Sequence, residues 1–377
     1  HYRANALRAW EKKLRLSDVE RCYEIGRVIG DGNFAVVREC RRRDDGQACA
    51  VKVVERSKLV GREHMMQNEL SLLGSLCHPR IVRLLAHHHT PAHSYLVMEL
   101  VSGGDLFEAI SERGKFSEAE AGLMVSDVSD ALNYIHCRSI VHRDLKPENL
   151  LVSIRLGDFG LAMVVTEPVF TICGTPTYVA PEILRETGYG VAVDVWAQGV
   201  ILYILLCGFA PFRSRDRNQE ELFKLIKQAQ LLFPSPYWDC ITEEAKSLVR
   251  SLLQPDPAVR LTAEQTLQHK WVKAMALTCR QRALADKTQR NAADASAEPQ
   301  RAQRPAQTNA DKTRERLFCL VRLRVSLRWT AILSRVSPSP PLAQRLLEID
   351  TGSPEKEKGK WMDCWMNPQK MFFTLLG

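Results

Sequence analysis

Eleven cysteines are scattered through 377 residues and none forms a C-x-x-C pair. That lacks the usual zinc and disulfide-framework patterns and points to a reducing compartment. The longest apolar run, Val200 to Leu206, is far short of the roughly 20 residues a bilayer requires. No secretory signal peptide is read at the start; the chain begins at His1 rather than Met, so upstream domains are left open. There is also no basic groove with interleaved aromatics, which excludes a nucleic-acid enzyme. The formal net charge is +8, but from Lys273 onward 19 Lys/Arg face 10 Asp/Glu, so the residues before it carry −1.

What remains is the composition of a soluble globular protein, 45% hydrophobic and 25% charged. The informative stretch is Ile140 to Gly160, I-V-H-R-D-L-K-P-E-N-L-L-V-S-I-R-L-G-D-F-G. Its charged residues answer the needs of phosphoryl transfer, where catalysis is mainly positioning and charge neutralisation. Asp144 is suited to accept a proton from an attacking hydroxyl, and Lys146 to neutralise charge on the moving group. Asn149 and Asp158 offer hard oxygen ligands to Mg²⁺. A polar loop supplies such residues singly by chance, but not H-R-D-L-K-P-E-N and D-F-G in order.

On these motifs the chain resembles the eukaryotic protein kinases. Tyr23–Val272 resembles the calcium/calmodulin-dependent kinase group. Within it I-G-D-G-N-F-A-V-V (Ile29–Val37) and C-G-T-P-T-Y-V-A-P-E (Cys173–Glu182) are most similar to the doublecortin-like kinases. The resemblance implies an α+β, two-lobed protein kinase fold. A small, mainly β N-lobe would span 23–99, and the hinge with a larger, mainly α C-lobe 100–272. An N-terminal extension (1–22) and a basic, largely disordered tail (273–377) would flank it. It implies a cytoplasmic serine/threonine protein kinase, with the nucleus as an additional compartment, using ATP and Mg²⁺ on protein substrates in basic sequence contexts.

The resemblance also implies roles by position. Asp144 is the base, Lys146 and Lys52 neutralise charge, and Glu69 pairs with Lys52. ATP lies against Ile29, Gly30, Asp31, Gly32, Asn33, Phe34, Ala35, Val36, Val37, Ala50, Lys52, Met98, Glu99, Val101, Asp105 and Leu151. Met98 is the gatekeeper, Glu99–Val101 the hinge, and Asp105 the ribose position. Asn149 and Asp158 hold Mg²⁺, Glu148 and Thr175 face the substrate, and Thr171 is the activation-loop phosphosite with Arg143 as its partner. Leu73, Leu84, His142 and Phe159 form a hydrophobic spine, and Glu182 with Arg260 a buried structural ion pair. Ala35 stands where the family has a third glycine.

Local pattern adds the frame. Tyr23–Val54 alternates like strands, and glycines between them let backbone N–H groups approach phosphates. Glu63–Leu76 reads as a helix, and Ser94–Glu99 as a strand. Ser117–Glu120 and Thr262–Gln265 read as capping boxes, and the apolar helix opened by Asp194 as a buried one. Leu7, Trp10, Leu14 and Leu16 suggest a frayed or lobe-packed helix. His87-His88-His89 with His93 reads as a solvent-facing hairpin, since neighbours on a strand point to opposite faces and cannot converge on one metal. Lys273–Arg316 reads as linker. Val321–Trp329 alternates with a strand period, so calmodulin binding through a helix is not expected. The sequence assigns no oligomeric state.

An alternative function is a catalytically weak kinase-fold scaffold. Asn149 and Asp158 are only nine positions apart, several fewer than in the doublecortin-like kinases. With Leu150–Val152 and Arg155–Gly157 as strands, Ser153-Ile154 is left as a two-residue turn without the Gly, Asn or Asp such turns favour. Fraying or strain there would act on both metal ligands.

Overall fold

The alternating stretch folds into the strands of a single sheet. The computed structural model describes residues 12–13, 16–31, 35–59, 63–151 and 154–278. All belong to the first of two units into which the chain divides, His1–Asn309; the second, Ala310–Gly377, lies outside the described residues. In chain order come β1 (Lys12–Lys13), α1 (Leu16–Cys22), β2 (Tyr23–Asp31), β3 (Ala35–Arg42), β4 (Ala48–Glu55), α2 (Glu63–Ser75), β5 (Leu84–His89) and β6 (His93–Glu99). The sheet order is β1-β5-β6-β4-β3-β2, antiparallel except for β1, which runs parallel to β5. Val19 of α1 packs with Tyr23, Cys40, Cys49, Val51, Tyr95 and Val97 in the core of this lobe. So α1 is packed on the lobe; Leu7, Trp10 and Leu14 lie outside the described residues.

The histidine run departs from its sequence reading. β5 and β6 do form a hairpin, but Lys12 and Lys13 pair with His88 and His89, and His87 is only 8% exposed. The N-terminal extension covers this sheet edge, so the hairpin is not solvent-facing. Burial, with His89 and His88 nearby, pushes the His87 imidazole down to about 4.

The second lobe is mainly helical: α3 (Leu106–Arg113), α4 (Glu118–His136), β7 (Ile140–Val141), β8 (Leu150–Leu151), β9 (Arg155–Leu156), β10 (Met163–Val164), α5 (Pro181–Arg185), α6 (Ala192–Cys207), α7 (Gln219–Gln228), α8 (Glu243–Leu252) and α9 (Ala263–Gln268). Reciprocal side-chain and main-chain bonds close capping boxes at Ser117/Glu120 and Thr262/Gln265. α6 is buried on every side from Val193 to Cys207, each Val, Leu or Ile contributing about 1.5–3 kcal/mol of burial. Arg260 grips Glu182 with two bonds of 2.6 and 2.9 Å, both side chains almost fully buried. Losing one partner of such a pair costs about 3–5 kcal/mol.

The helical conformation continues at residues 270–278, so the stretch read as linker from Lys273 begins as helix. Trp271 and Val272 are buried, and the Trp271 indole donates to Glu118 at 2.7 Å. Trp271 and Met275, one turn apart, cover Gly122 of α4, where a Cβ would lie 2.5 Å from Met275. Val321–Trp329 lies outside the described residues.

Candidate active site

Lys52 projects from β4 and Glu69 from α2. Lys52 Nζ donates to Glu69 Oε1 at 2.7 Å and to Asp158 Oδ1 at 3.0 Å. Burial alone would favour a neutral lysine, but Asp158 and Glu69 outweigh it and raise the Lys52 pKa. Conversely Lys52 holds the Asp158 carboxyl down at about 2. Leu73, Leu84, His142 and Phe159 are buried beneath this pair, with the His142 and Phe159 rings 5.0 Å apart.

The turn that carries Asp144 follows β7. Main-chain N–H groups of His142 and Arg143 each donate to the Asp194 carboxylate at 2.9 Å, and His136 Nε2 lies 2.9 Å from it. Asp194 is 1% exposed; burial would raise its pKa, but the His136 bond and charge outweigh that and lower it. This clamp holds Arg143 at φ 67°, in the left-handed region. Sequence reading gave Asp194 only a place at the start of a helix. Its signal was a carboxylate opening an otherwise apolar segment, a charge that must find partners when buried.

Around Asp144 the groups converge. Thr175 Oγ1 donates to Asp144 Oδ1 at 2.8 Å, and Lys146 Nζ lies 2.9 Å from Oδ2 and 3.2 Å from Thr175 Oγ1. Burial works against the Lys146 charge, but Asp144 outweighs it and raises the pKa. Asn149 spends its amide nitrogen on Asp144 O at 2.8 Å. Its side-chain oxygen accepts no bond among the described residues. Gly157 N donates to Asn149 O at 2.9 Å, and His142 Nε2 lies 3.0 Å from Gly157 O, which ties Asn149 to the segment carrying Asp158. Half of the Asp158 side chain is exposed. An ionised carboxylate and a free amide oxygen are the hard donors Mg²⁺ prefers, so the residues fit that metal.

The connection between them is not the two-residue turn expected. Leu150 pairs with Leu156 and Leu151 with Arg155, so three positions rather than two separate the last paired residues; 152 and 153 lie outside the described residues. Such loops commonly close with a left-handed residue, and Ile154 takes that place at φ 42° with its side chain 2% exposed. A β-branched residue there is strained by about 1–3 kcal/mol, an amount its burial offsets.

Of the residues expected to face nucleotide, Gly30 and Asp31 pair with Val37 and Val36 across β2 and β3, Val37 with Lys52, and Ala50 with Met98. Ile29 is 43% exposed, and Ala35 begins β3. Asp105 caps α3 by accepting from Glu108 N at 2.9 Å and bridges Leu151. Glu99 at the end of β6 leads into Val101. Gly32, Asn33 and Phe34 lie outside the described residues. Of the residues expected to face the substrate, Glu148 has its Oε2 buried without a hydrogen-bond partner among the described residues, and burial raises its pKa. Thr171 is exposed, and its carbonyl accepts from the Tyr189 hydroxyl at 2.6 Å. Arg143 donates to Leu161 O at 2.6 Å and to that hydroxyl at 3.5 Å, so it meets Thr171 only through Tyr189, which sequence reading passed over.

Compared with known proteins, residues 23–272 match the sequence model of the family described as protein kinase domain. The chain belongs to the protein kinase family. It is 56% identical over 270 residues to serine/threonine-protein kinase DCLK3 of Mus musculus, covering 70% of this chain and 34% of that protein. To DCLK3 of Homo sapiens it is 55% identical over 270 residues, covering 70% and 42%. To DCLK2 of Homo sapiens it is 54% identical over 258 residues, 66% and 34%. The chain therefore spans about two fifths or less of these relatives.

Proposed function

We propose that the chain is a serine/threonine protein kinase that transfers the γ-phosphoryl group of ATP to protein hydroxyls. The observation that carries this is Lys52 bonded to Glu69 and Asp158 at once, because kinase chemistry requires that pair and the metal-binding Asp to be in place together. Bound Mg²⁺·ATP would supply the transferable group and neutralise its charge. Asn149 and Asp158 would hold the metal, and Lys52 the phosphates. Asp144, oriented by Thr175, Lys146 and Asn149, would accept the hydroxyl proton. Glu148, with an oxygen lacking a partner, and Asp105 support preference for basic residues near the acceptor. Phosphate on Thr171 would reach Arg143 by displacing the Tyr189 contact and raise activity. The test is ATP-dependent phosphorylation of a basic serine peptide, with Asp144→Asn as control. Retained Mg²⁺·ATP binding with no transfer to any peptide would favour the scaffold reading, whose support is the strained Ile154 connection; the Gly157 to Asn149 bond argues against it.

A further inference from the structure

We propose that Arg155 is a positioning residue that couples the hinge to the metal-binding segment through Glu99. This rests on the kinase reading above. Arg155 is the first residue of β9 and stands three positions before Asp158. Its guanidinium Nη1 donates to Glu99 Oε2, while Glu99 Oε1 accepts from Arg83 N at 3.0 Å. Both oxygens of Glu99 are thus engaged, one by its own lobe and one by the segment leading to Asp158. The side chains of Arg155 and Glu99 are 22% and 25% exposed, so solvent screens the pair only partly.

The need for such a tie follows from the short connection. β8 and β9 share two residue pairs, and a ladder that short is marginal by itself. One flank of β9 is held by main-chain bonds, Leu156 N to Arg80 O at 2.8 Å and Val82 N to Leu156 O at 2.9 Å. These fix β9 against residues 80–82, which meet the end of β6 only at the next residue, where Glu99 N donates to Arg83 O at 3.0 Å. Among the described residues, Arg155–Glu99 is the one ion pair joining the end of β6 to the segment that carries Asp158. A guanidinium on a half-buried carboxylate is directional, so it sets the distance between the adenine side and the metal side of the cleft. Nucleotide bound at both ends should sense that distance; a ligand bound at the hinge alone should not.

The test is direct binding of Mg²⁺·ATP and of adenosine, by calorimetry, to wild type, R155Q, R155K and the swap E99R/R155E. We expect R155Q to weaken Mg²⁺·ATP about 3- to 10-fold and adenosine less than about twofold. R155K keeps the charge and should stay within about twofold of wild type for both ligands, and the swap should recover at least half of the loss. R155Q that binds Mg²⁺·ATP like wild type, or loses both ligands equally, overturns the proposal. If R155Q does not fold, E99Q removes the same pair and must show the same split. Wild type that binds neither ligand sinks the kinase reading, and this proposal with it. Wild type that binds both, with R155Q unchanged, sinks this proposal alone.

Discussion

Arg143 and Ile154 are both non-glycine residues with left-handed backbone, at φ 67° and 42°, and they are held by opposite means. At Arg143 a buried carboxylate accepts two main-chain N–H groups, a directed clamp around a charge. At Ile154 an apolar side chain is buried, and no direction is specified. Directed bonds stand where Asp144 must be aimed; non-directional burial suffices where the chain only has to turn. Asp158, at φ 50°, is intermediate: its carboxylate is aimed by Lys52 and accepts weakly from Gly160 N at 3.4 Å.

Breaking the clamp gives the largest effect. Asp194→Ala leaves both N–H groups of the turn without their acceptor, and we expect a loss of about 3–5 kcal/mol, near 10 °C in melting temperature. Phosphorylation should be lost with it. A variant that melts like wild type would show that the turn holds itself.

Lys52→Met probes the intermediate case. The fold should survive, while the phosphorylation rate falls by at least about 100-fold. The effect on pH has a definite sign. A carboxyl lowered to about 2 by Lys52 contributes stability that is present above its unfolded value near 4 and lost as pH falls through the folded one. Melting temperature between about pH 4 and pH 2 should therefore fall less steeply in Lys52→Met than in wild type. Parallel curves would remove Lys52 as the cause.

The hairpin should respond least. Replacing Ser153-Ile154 by a longer polar turn containing Asp-Gly should move the half-saturating Mg²⁺ concentration by less than about threefold, because the bond from Gly157 to Asn149 already sets the spacing. A larger gain would mean the natural connection impairs metal use, and would strengthen the scaffold reading. Ile154→Gly relieves the strain but forfeits the burial, for a net loss of about 1 kcal/mol, roughly 3 °C. A stabilised variant would reverse the assignment of what holds that residue.

Motif order made the fold legible, and with it the residues that the structure brings together, Lys52, Asp144, Asn149 and Asp158, whose chemistry fixes their neighbours. The groups that aim them were harder to read. Asp194 and Tyr189 act through main-chain atoms far along the chain, which periodicity does not report. The burial of His87 depends on a strand, Lys12–Lys13, whose sequence carries no strand pattern. The register of β8 on β9, with Leu151 opposite Arg155, is not fixed by two such short strands in sequence. The helix at 270–278 is not legible in the composition of the tail, because its apolar contacts rest on the missing Cβ of Gly122, far along the chain.

The cover over β5 also has a consequence for the order of assembly. Lys12 pairs with His88, 76 positions later in the chain. The entropy of closing such a loop grows only with the logarithm of its length, so the pairing is affordable, but it cannot precede synthesis of β5. During translation the segment at Lys12 emerges first and must wait without its partner. Once β5 is made, and until that segment pairs with it, its outer edge offers unpaired N–H and C=O groups, the template on which neighbouring chains associate. In the folded protein two lysines carry the parallel strand that closes it.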